Sequence, residues 1–369
     1  MSRVLFLANN VICVYNFRLE LVEELLKLGH RVVISCPYSE KVDELVKLGA
    51  EHRDIKIDRH GTNPLKDLKL VSEYKKLIKE TRPDVVLTFT IKPNVFGATA
   101  ARSCRVPCIA NITGLGIAIE NGGVKKRLCI SLYKHAFKKI ERVFFQNEAN
   151  RKLFEDHRIA VGRHTLLPGS GVNLDRFRPT DLPRDEVFLF IARIMKDKGI
   201  DEFLEASARI KAVRPDVRSF VCGFCDDANY DQKLIEAVND GVIEYFGMTD
   251  NQTYFYAAAS CVVLPSYHEG MSNTLLEAAA CARPVIATDV PGCREIIEDG
   301  KTGFLVKRGS AEDLYEKMLS FLDLSYEQRK KMGLDGRQKM ENEFDRALVV
   351  KEYVSEINRL TDPDRRRNE

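Results

Sequence analysis

The stretch SYHEGMSNTLLEAAACARPVIATDVP, Ser266 to Pro291, decides how the chain is read. The apolar run before it, CVVLP (Cys261 to Pro265), is of strand type. His268, Glu269, Gly270 and Met271 then form a small polar loop, and Ser272 or Asn273 caps a helix that runs to about Cys281. Arg283-Pro284 stops the helix, and PVIAT begins the next strand. A strand that enters a helix through such a loop aims backbone N–H groups and the positive end of the helix dipole at one spot, which suits phosphate. Glu269 in the loop and Glu277 in the helix add two carboxylates. Donors for phosphate beside acceptors for hydroxyls suit a sugar nucleotide. Taken by itself, the stretch reads equally well as an ordinary strand–helix unit with surface glutamates.

Working outward, strands and helices alternate on both sides of this stretch. In the first half, VLFLA, RVVISC, the segment around HRDIKI, DVVLTFT, PCIANI and VFFQN read as strands, with VFFQN the last. Helices fall between them, at 17–28, 41–48, 65–80, 94–103 and 124–140. In the second half the strands are EVFLFIAR, SFVCGF, VIEYFG, CVVLP, PVIAT, Cys293 to Glu298 and TGFLV. Such alternation predicts parallel sheets covered on both faces, with ligands at the carboxyl ends of the strands. The expected fold is α/β, two doubly wound Rossmann-like domains facing across a cleft. The Gly- and Pro-rich LLPGSGVNLDRFRP (Leu166 to Pro179) marks the boundary. The domains are therefore 1–165 and 166–340, and a C-terminal helix in 341–369 packs back on the first.

The 369 residues carry a net charge of only +3, but residues 1–165 sum to +11 and the remainder to −8. A basic first half predicts an anionic partner. In VKKRLCISLYKHAFKKI (Val124 to Ile140), Cys129, Tyr133, Ala136 and Ile140 share one side and Arg127, Lys134 and Lys138 line its edge. That pattern suits a helix lying on an anionic membrane. No known nucleic-acid module or aromatic-interleaved basic strand set is present, so nucleic acid is not expected. No apolar run reaches the about 18 residues of a membrane span, and no signal peptide is legible, which predicts a cytoplasmic protein. The ten cysteines sit mostly in apolar contexts. Cys222 and Cys225 form a C-x-x-C, but no second pair stands at zinc spacing, so two thiols at a strand end are expected and no metal.

Arg193 ends a strand, and Lys198 follows in the loop before the next helix. A planar fork and a point charge together could neutralise a leaving diphosphate. In order, PGSGVNLDRF, IARIMKDKGIDEFLEA, YFGMTDN, the central stretch and DGKTGFLV resemble the retaining glycosyltransferases of family 4, of GT-B architecture, with Glu269 and Glu277 as the family's E-x7-E pair. YNFRLELVEEL, TFTIKPNVFG and NITGLG are similar to a branch that builds bacterial surface polysaccharides on lipid carriers.

The resemblance implies that Arg193, Lys198 and Glu269 are the catalytic groups: the cations hold the diphosphate, and Glu269 contacts the donor sugar. Glu277 would accept from the ribose, and Gly270, Met271, Ser272 and Asn273 would meet phosphate and sugar. Gly247 and Met248 would flank the base, and Ser170 and Gly171 would complete the donor side. On the acceptor side stand Asn9, Asn10, Arg18, Lys92, Gly114 and Gly116. Lys92 takes the place of a histidine that many members carry, and Ala8-Asn9-Asn10 lacks the usual glycines.

The implied reaction moves a hexose or N-acetylhexosamine from a UDP-sugar, with retention and without a metal or other cofactor. The acceptor would be an undecaprenyl-diphosphate-type lipid-linked sugar, and the enzyme would sit peripherally on the inner face of the cell membrane. A sugar-nucleotide epimerase of the same architecture, or an inactive transferase-like partner subunit, are the alternatives. The spacing of the glutamates disfavours the first, and the intact Glu269, Glu277, Arg193 and Lys198 the second.

Overall fold

A computed structural model describes residues 1–58, 64–115, 123–225 and 227–362. The chain divides into two compact units, Met1–Ser170 with Ala347 onward, and Gly171–Arg346.

The first unit is built on a parallel sheet. Its neighbours run β3 (Glu51–Arg53), β2 (Arg31–Ser35), β1 (Arg3–Leu7), β4 (Val85–Phe89), β5 (Cys108–Ile112), β6 (Arg142–Phe145) and β7 (His164–Leu166). Every residue of β4 and β5 is buried, so both faces need covering. Leu5, Leu7, Val33 and Val86 feed one core and Val4, Phe6, Val32 and Ile34 the other, as the period of two requires. The helices between strands are α1 (Ile12–Lys27), α2 (Lys41–Lys47), α3 (Pro64–Thr81), α4 (Ala98–Cys104), α5 (Gly123–Ala136) and α6 (Glu148–Asp156).

Two local readings change. VFFQN is not the last strand, because β7 adds to its edge by pairing Phe144 with Thr165. The first helix starts at Ile12 rather than Phe17, since Asn10 Oδ1 accepts from the Cys13 N–H at 2.9 Å and closes the first turn directly after β1.

The last helix, α13 (Arg346–Thr361), supplies Val349, Tyr353, Ile357 and Leu360 to a core of the first unit. Tyr353 packs edge-on to Phe144 at 4.6 Å between ring centres. The second unit keeps α12 (Tyr326–Glu343) and ends at Arg346.

The second unit repeats the plan with β10 (Glu244–Tyr245), β9 (Arg218–Cys222), β8 (Val187–Ile191), β11 (Cys261–Leu264), β12 (Val285–Thr288) and β13 (Gly303–Val306), again all parallel. Its other helices are α7 (Ile200–Val213), α8 (Ala228–Asn239), α9 (Gln252–Ala258), α10 (Asn273–Ala280) and α11 (Ala311–Leu322). Cys293 to Glu298 is not a strand. Its backbone folds into successive turns, with Cys293 N–H on Val290 O and Ile296 N–H on Cys293 O. The second sheet follows the order 3-2-1-4-5-6 and the first the same order with a seventh strand at its end, so each reverses direction between its first and fourth strands.

Candidate active site

In the second unit that reversal lies between β8 and β11, which pair as Cys261 with Phe188 and Val262 with Leu189. Chains leaving the carboxyl ends of such strands diverge and leave a crevice for a ligand. From β8 the chain passes Arg193 and enters a short 3₁₀ turn, Lys196–Lys198. From β11 it enters the loop Ser266 to Ser272, where α10 begins.

The two loops are locked together. Gly199 has φ +75°, and a Cβ there would stand 2.1 Å from Pro265 O, so the turn after β8 presses against the end of β11 only because residue 199 is glycine. Tyr267 N–H donates to Asp197 O at 2.9 Å. His268 Nε2 stands 4.0 Å from Asp197 Oδ2, which places His268 between the same two loops. The result is a tight cluster: Lys198 Nζ lies 2.5 Å from Glu269 Oε1, and Ser266 Oγ donates to the same oxygen at 2.8 Å. Both charged side chains are mostly buried, at 19% and 12% exposure. Arg193 stands exposed at the end of β8, with no ion pair among the described residues.

Glu277 lies on α10, one turn in from its cap. Tyr256 of α9 donates its hydroxyl to Glu277 Oε2 at 2.9 Å. Tyr256 is in turn tied down by the fully buried Arg283, whose Nε donates to Tyr256 O at 2.8 Å. Arg283 is thus a strut behind the site as well as the end of a helix. Burial pushes the Glu277 carboxyl up to about 6, against the pull of Tyr256, Arg176 and Arg346.

At the start of α10, Ser272 Oγ caps the Leu275 N–H. The first-turn N–H groups of Asn273 and Thr274 then lie beyond intrahelical bonding. Asn273 Oδ1 is buried without a partner among the described residues. One expected donor is used internally, since the Ser272 N–H bonds to Gly292 O at 2.8 Å and is not available to phosphate. Met271 is buried. Gly247, at φ +65°, accepts from the Gly223 N–H at 2.8 Å, and Met248 is 74% exposed at the end of β10. Ser170 is buried and accepts from Gln146 Nε2 at 3.2 Å. Gly171 is required by packing, because a Cβ there would meet Arg346 Cα at 2.5 Å.

These groups lie on chain segments that match known families. Residues 173–339 match the family described as glycosyl transferases group 1, and residues 3–147 match glycosyl transferase 4-like. The chain belongs to these glycosyltransferases.

Full-length relatives agree. The N,N'-diacetylbacillosaminyl-diphospho-undecaprenol alpha-1,3-N-acetylgalactosaminyltransferase of Campylobacter jejuni is 27% identical, covering 97% of this chain and 99% of the relative. The capsular polysaccharide biosynthesis glycosyltransferase CapM of Staphylococcus aureus is 26% identical, covering 80% of this chain and 83% of its own. Among solved structures, Anabaena HepE in complex with UDP and glucose superposes with a TM-score of 0.81 at 16% identity, covering 96% of this chain and 99% of HepE. That likeness establishes the GT-B fold of the glycosyltransferase.

In the first unit of this glycosyltransferase, Asn9 and Asn10 follow β1, and Asn10 Nδ2 donates to Asn9 Oδ1 at 3.0 Å. Lys92 follows β4 and pairs with Asp67 at 2.9 Å, both largely buried. Gly114 has φ +154° and open space around its Cβ position. Gly116 lies outside the described residues. Arg18 is not a surface cation. It is 2% exposed, with its guanidinium 5.4 Å from the Phe89 ring centre and 5.7 Å from that of Tyr353. The partner that buries it comes from the far end of the sequence, which no local pattern around Arg18 could show.

Sequence reasoning also missed Tyr256, Ser266 and Glu202. Tyr267 donates its hydroxyl to the buried Glu202 of α7 at 2.6 Å, while Glu202 Oε2 has no partner among the described residues. Tyr267→Phe would leave that buried carboxyl without its donor, a loss of about 2 kcal/mol. We expect a lower melting temperature by thermal denaturation, with sugar transfer reduced only several-fold because Glu269 keeps Lys198 and Ser266.

Proposed function

We propose that the chain transfers a hexose or N-acetylhexosamine from a UDP-sugar to a lipid-linked saccharide on an undecaprenyl-diphosphate-type carrier, with retention at the anomeric carbon. The observation that carries the reading is the Lys198–Glu269–Ser266 cluster at the strand-order reversal of the second unit. Arg193 and Lys198 meet the diphosphate, in place of a metal. The open N–H groups of α10 and the Asn273 amide face phosphate or sugar. Glu277, held by Tyr256, accepts from the ribose hydroxyls. Glu269 orients the donor sugar. Gly247 and Met248 line the base.

In the transfer step, the acceptor hydroxyl oxygen bonds to the anomeric carbon as the bond from that carbon to the diphosphate breaks. The hydroxyl proton passes to the departing diphosphate oxygen on the same face. The acceptor class is supported by the Campylobacter relative, which matches nearly end to end. Asn9, Asn10, Lys92 and the Gly114 turn are the acceptor-side candidates, and the enzyme works peripherally at the inner face of the cell membrane. Among the described residues no helix is long and apolar enough to cross a membrane. The basic first half would bring the chain to that surface.

A thermal-shift panel of UDP-, GDP- and ADP-sugars tests the donor, because a ligand that binds only the folded form raises its melting temperature. Stabilisation by UDP-sugars alone is expected, and by about 2.7 kcal/mol at a hundred times the dissociation constant. A shift with GDP- or ADP-sugars instead would overturn the base assignment. Incubating the stabilising donor with an undecaprenyl-diphosphate saccharide then tests the acceptor. The anomeric configuration of the product decides retention.

A further inference from the structure

The side of α5 expected to face a membrane is turned inward. Tyr133 is fully buried, Ala136 is 2% exposed, and Tyr133 packs against Phe137 and Phe154. The opposite side carries a second apolar row. Val124, Leu128 and Leu132, spaced four residues apart, are 81%, 59% and 37% exposed. That spacing places them in one ridge on the helix. Lys125 flanks the ridge on one side and Arg127 and Lys134 on the other, all exposed, and Gly123–Ala136 contains no acidic residue. Lys138 and Lys139 follow in the next turn, also exposed. Beside the helix lies a cavity of about 480 Å³ to which Lys126, Arg127, Lys134 and His157 contribute.

A soluble face would carry polar residues outermost with cations interspersed among carboxylates. Here apolar side chains stand outermost beside the polar Ser131 and His135, and the charged groups around them are all cations. Such a helix lies in the interface of an anionic bilayer, with its ridge among the acyl chains and its lysines reaching back to the headgroups. The basic cavity suits a headgroup phosphate. We infer that the Val124–Leu128–Leu132 ridge of α5 is the surface by which the enzyme docks on an anionic phospholipid bilayer. The inference rests on the reading of a lipid-borne acceptor for its purpose. Its test reads binding without sugar transfer, so each can fail separately.

The sequence contains no tryptophan. Leu128→Trp therefore places a single reporter on the ridge, and Val161→Trp, at another exposed site of the same unit, serves as control. With phosphatidylglycerol-containing vesicles, the emission at 128 should shift to the blue and be quenched by brominated acyl chains. The emission at 161 should not change. Pure phosphatidylcholine vesicles should give at most a weak response, and added salt should reduce binding. In sedimentation with vesicles, Leu128→Ser with Leu132→Ser should weaken binding at least tenfold, and thermal stabilisation by the donor should stay as in the unsubstituted enzyme.

Binding of vesicles without a blue shift at 128 would place docking on another face. Equal binding to neutral vesicles would overturn the electrostatic part. If the double serine variant instead converted a dimer to a monomer, the ridge would be an interface between copies of this chain, and the inference would be wrong.

Discussion

Replacing Lys198 by alanine should lower the turnover of sugar transfer by about 10²- to 10³-fold, the loss seen when one preorganised group facing a developing charge is removed. Lys198 is 19% exposed and held 2.5 Å from Glu269, so its ammonium is already placed and partly dried before any donor arrives. The negative charge on the diphosphate grows as the bond to the sugar breaks. A fixed cation therefore interacts more strongly with the transition state than with the bound donor. The expected signature is a fall in kcat larger than any rise in the KM for the donor. Glu269 keeps Ser266 in the variant, which limits the structural damage. Lys198→Arg should not restore the rate, because a planar fork cannot occupy the place of a point charge pressed against one carboxylate oxygen. Steady-state kinetics with a fixed acceptor decides the matter. Full activity in Lys198→Ala would remove Lys198 from the mechanism.

Arg193→Ala should behave differently. Arg193 is exposed and without an ion pair among the described residues, so it is free to meet an incoming diphosphate from solvent. The loss in Arg193→Ala is expected first in donor affinity, and it should shrink as salt rises. On the proposed reading the two cations divide the work, one capturing the donor and one stabilising what leaves.

Much of the fold was legible beforehand because it is written in short-range patterns. Apolar runs of strand length, separated by helices and stopped by glycines, specify a parallel doubly wound sheet. The loop after such a strand is where a ligand binds, whatever the ligand. Glu269, Glu277 and Lys198 sit in those loops and in the first turns after them, so their neighbourhood followed from topology. Residues whose partner is distant in sequence were not legible. Arg18 is buried by Tyr353 of the last helix, and Glu277 is held by Tyr256 of α9.

The orientation of α5 was misread for a related reason. Its helical period shows two apolar rows, the one through Cys129 and Tyr133 and the one through Leu128 and Leu132. Only the packing of Tyr133 on Phe154 tells which of them faces the core. Ser272 shows the same limit at the backbone. The cap falls on Ser272, one of the two candidates with Asn273, but the acceptor for the Ser272 N–H is Gly292 O, which reaches the loop after a further strand.

Donor binding should depend on pH through Glu277, and Glu277→Gln should abolish that dependence. Burial lifts this carboxyl from an ordinary 4.5 to about 6. A carboxylate accepts two ribose hydroxyls well, whereas its acid form has one fewer site for them. Affinity for a UDP-sugar should therefore be steady above about pH 6.5 and fall below about 6, by up to tenfold per pH unit. Calorimetry should use the intact UDP-sugar, whose bridged diphosphate does not titrate in this range as the terminal phosphate of UDP does.

Folding responds in the opposite direction. Because the folded-state value lies above the ordinary one, the contribution of Glu277 to stability is fully present below pH 4.5 and is lost as pH rises through about 6. The ligand-free protein is thus relieved by the proton that weakens the donor, and this opposition separates a ribose contact from a merely structural carboxyl. Glu277→Gln keeps the hydrogen bond from Tyr256 while removing the charge. It should bind the donor about 10- to 100-fold more weakly at neutral pH, the worth of hydrogen bonds to a charged acceptor. Equal donor affinity in Glu277→Gln, or an unchanged pH profile, would take Glu277 out of the nucleotide site and leave it as a buried acid that only braces Tyr256.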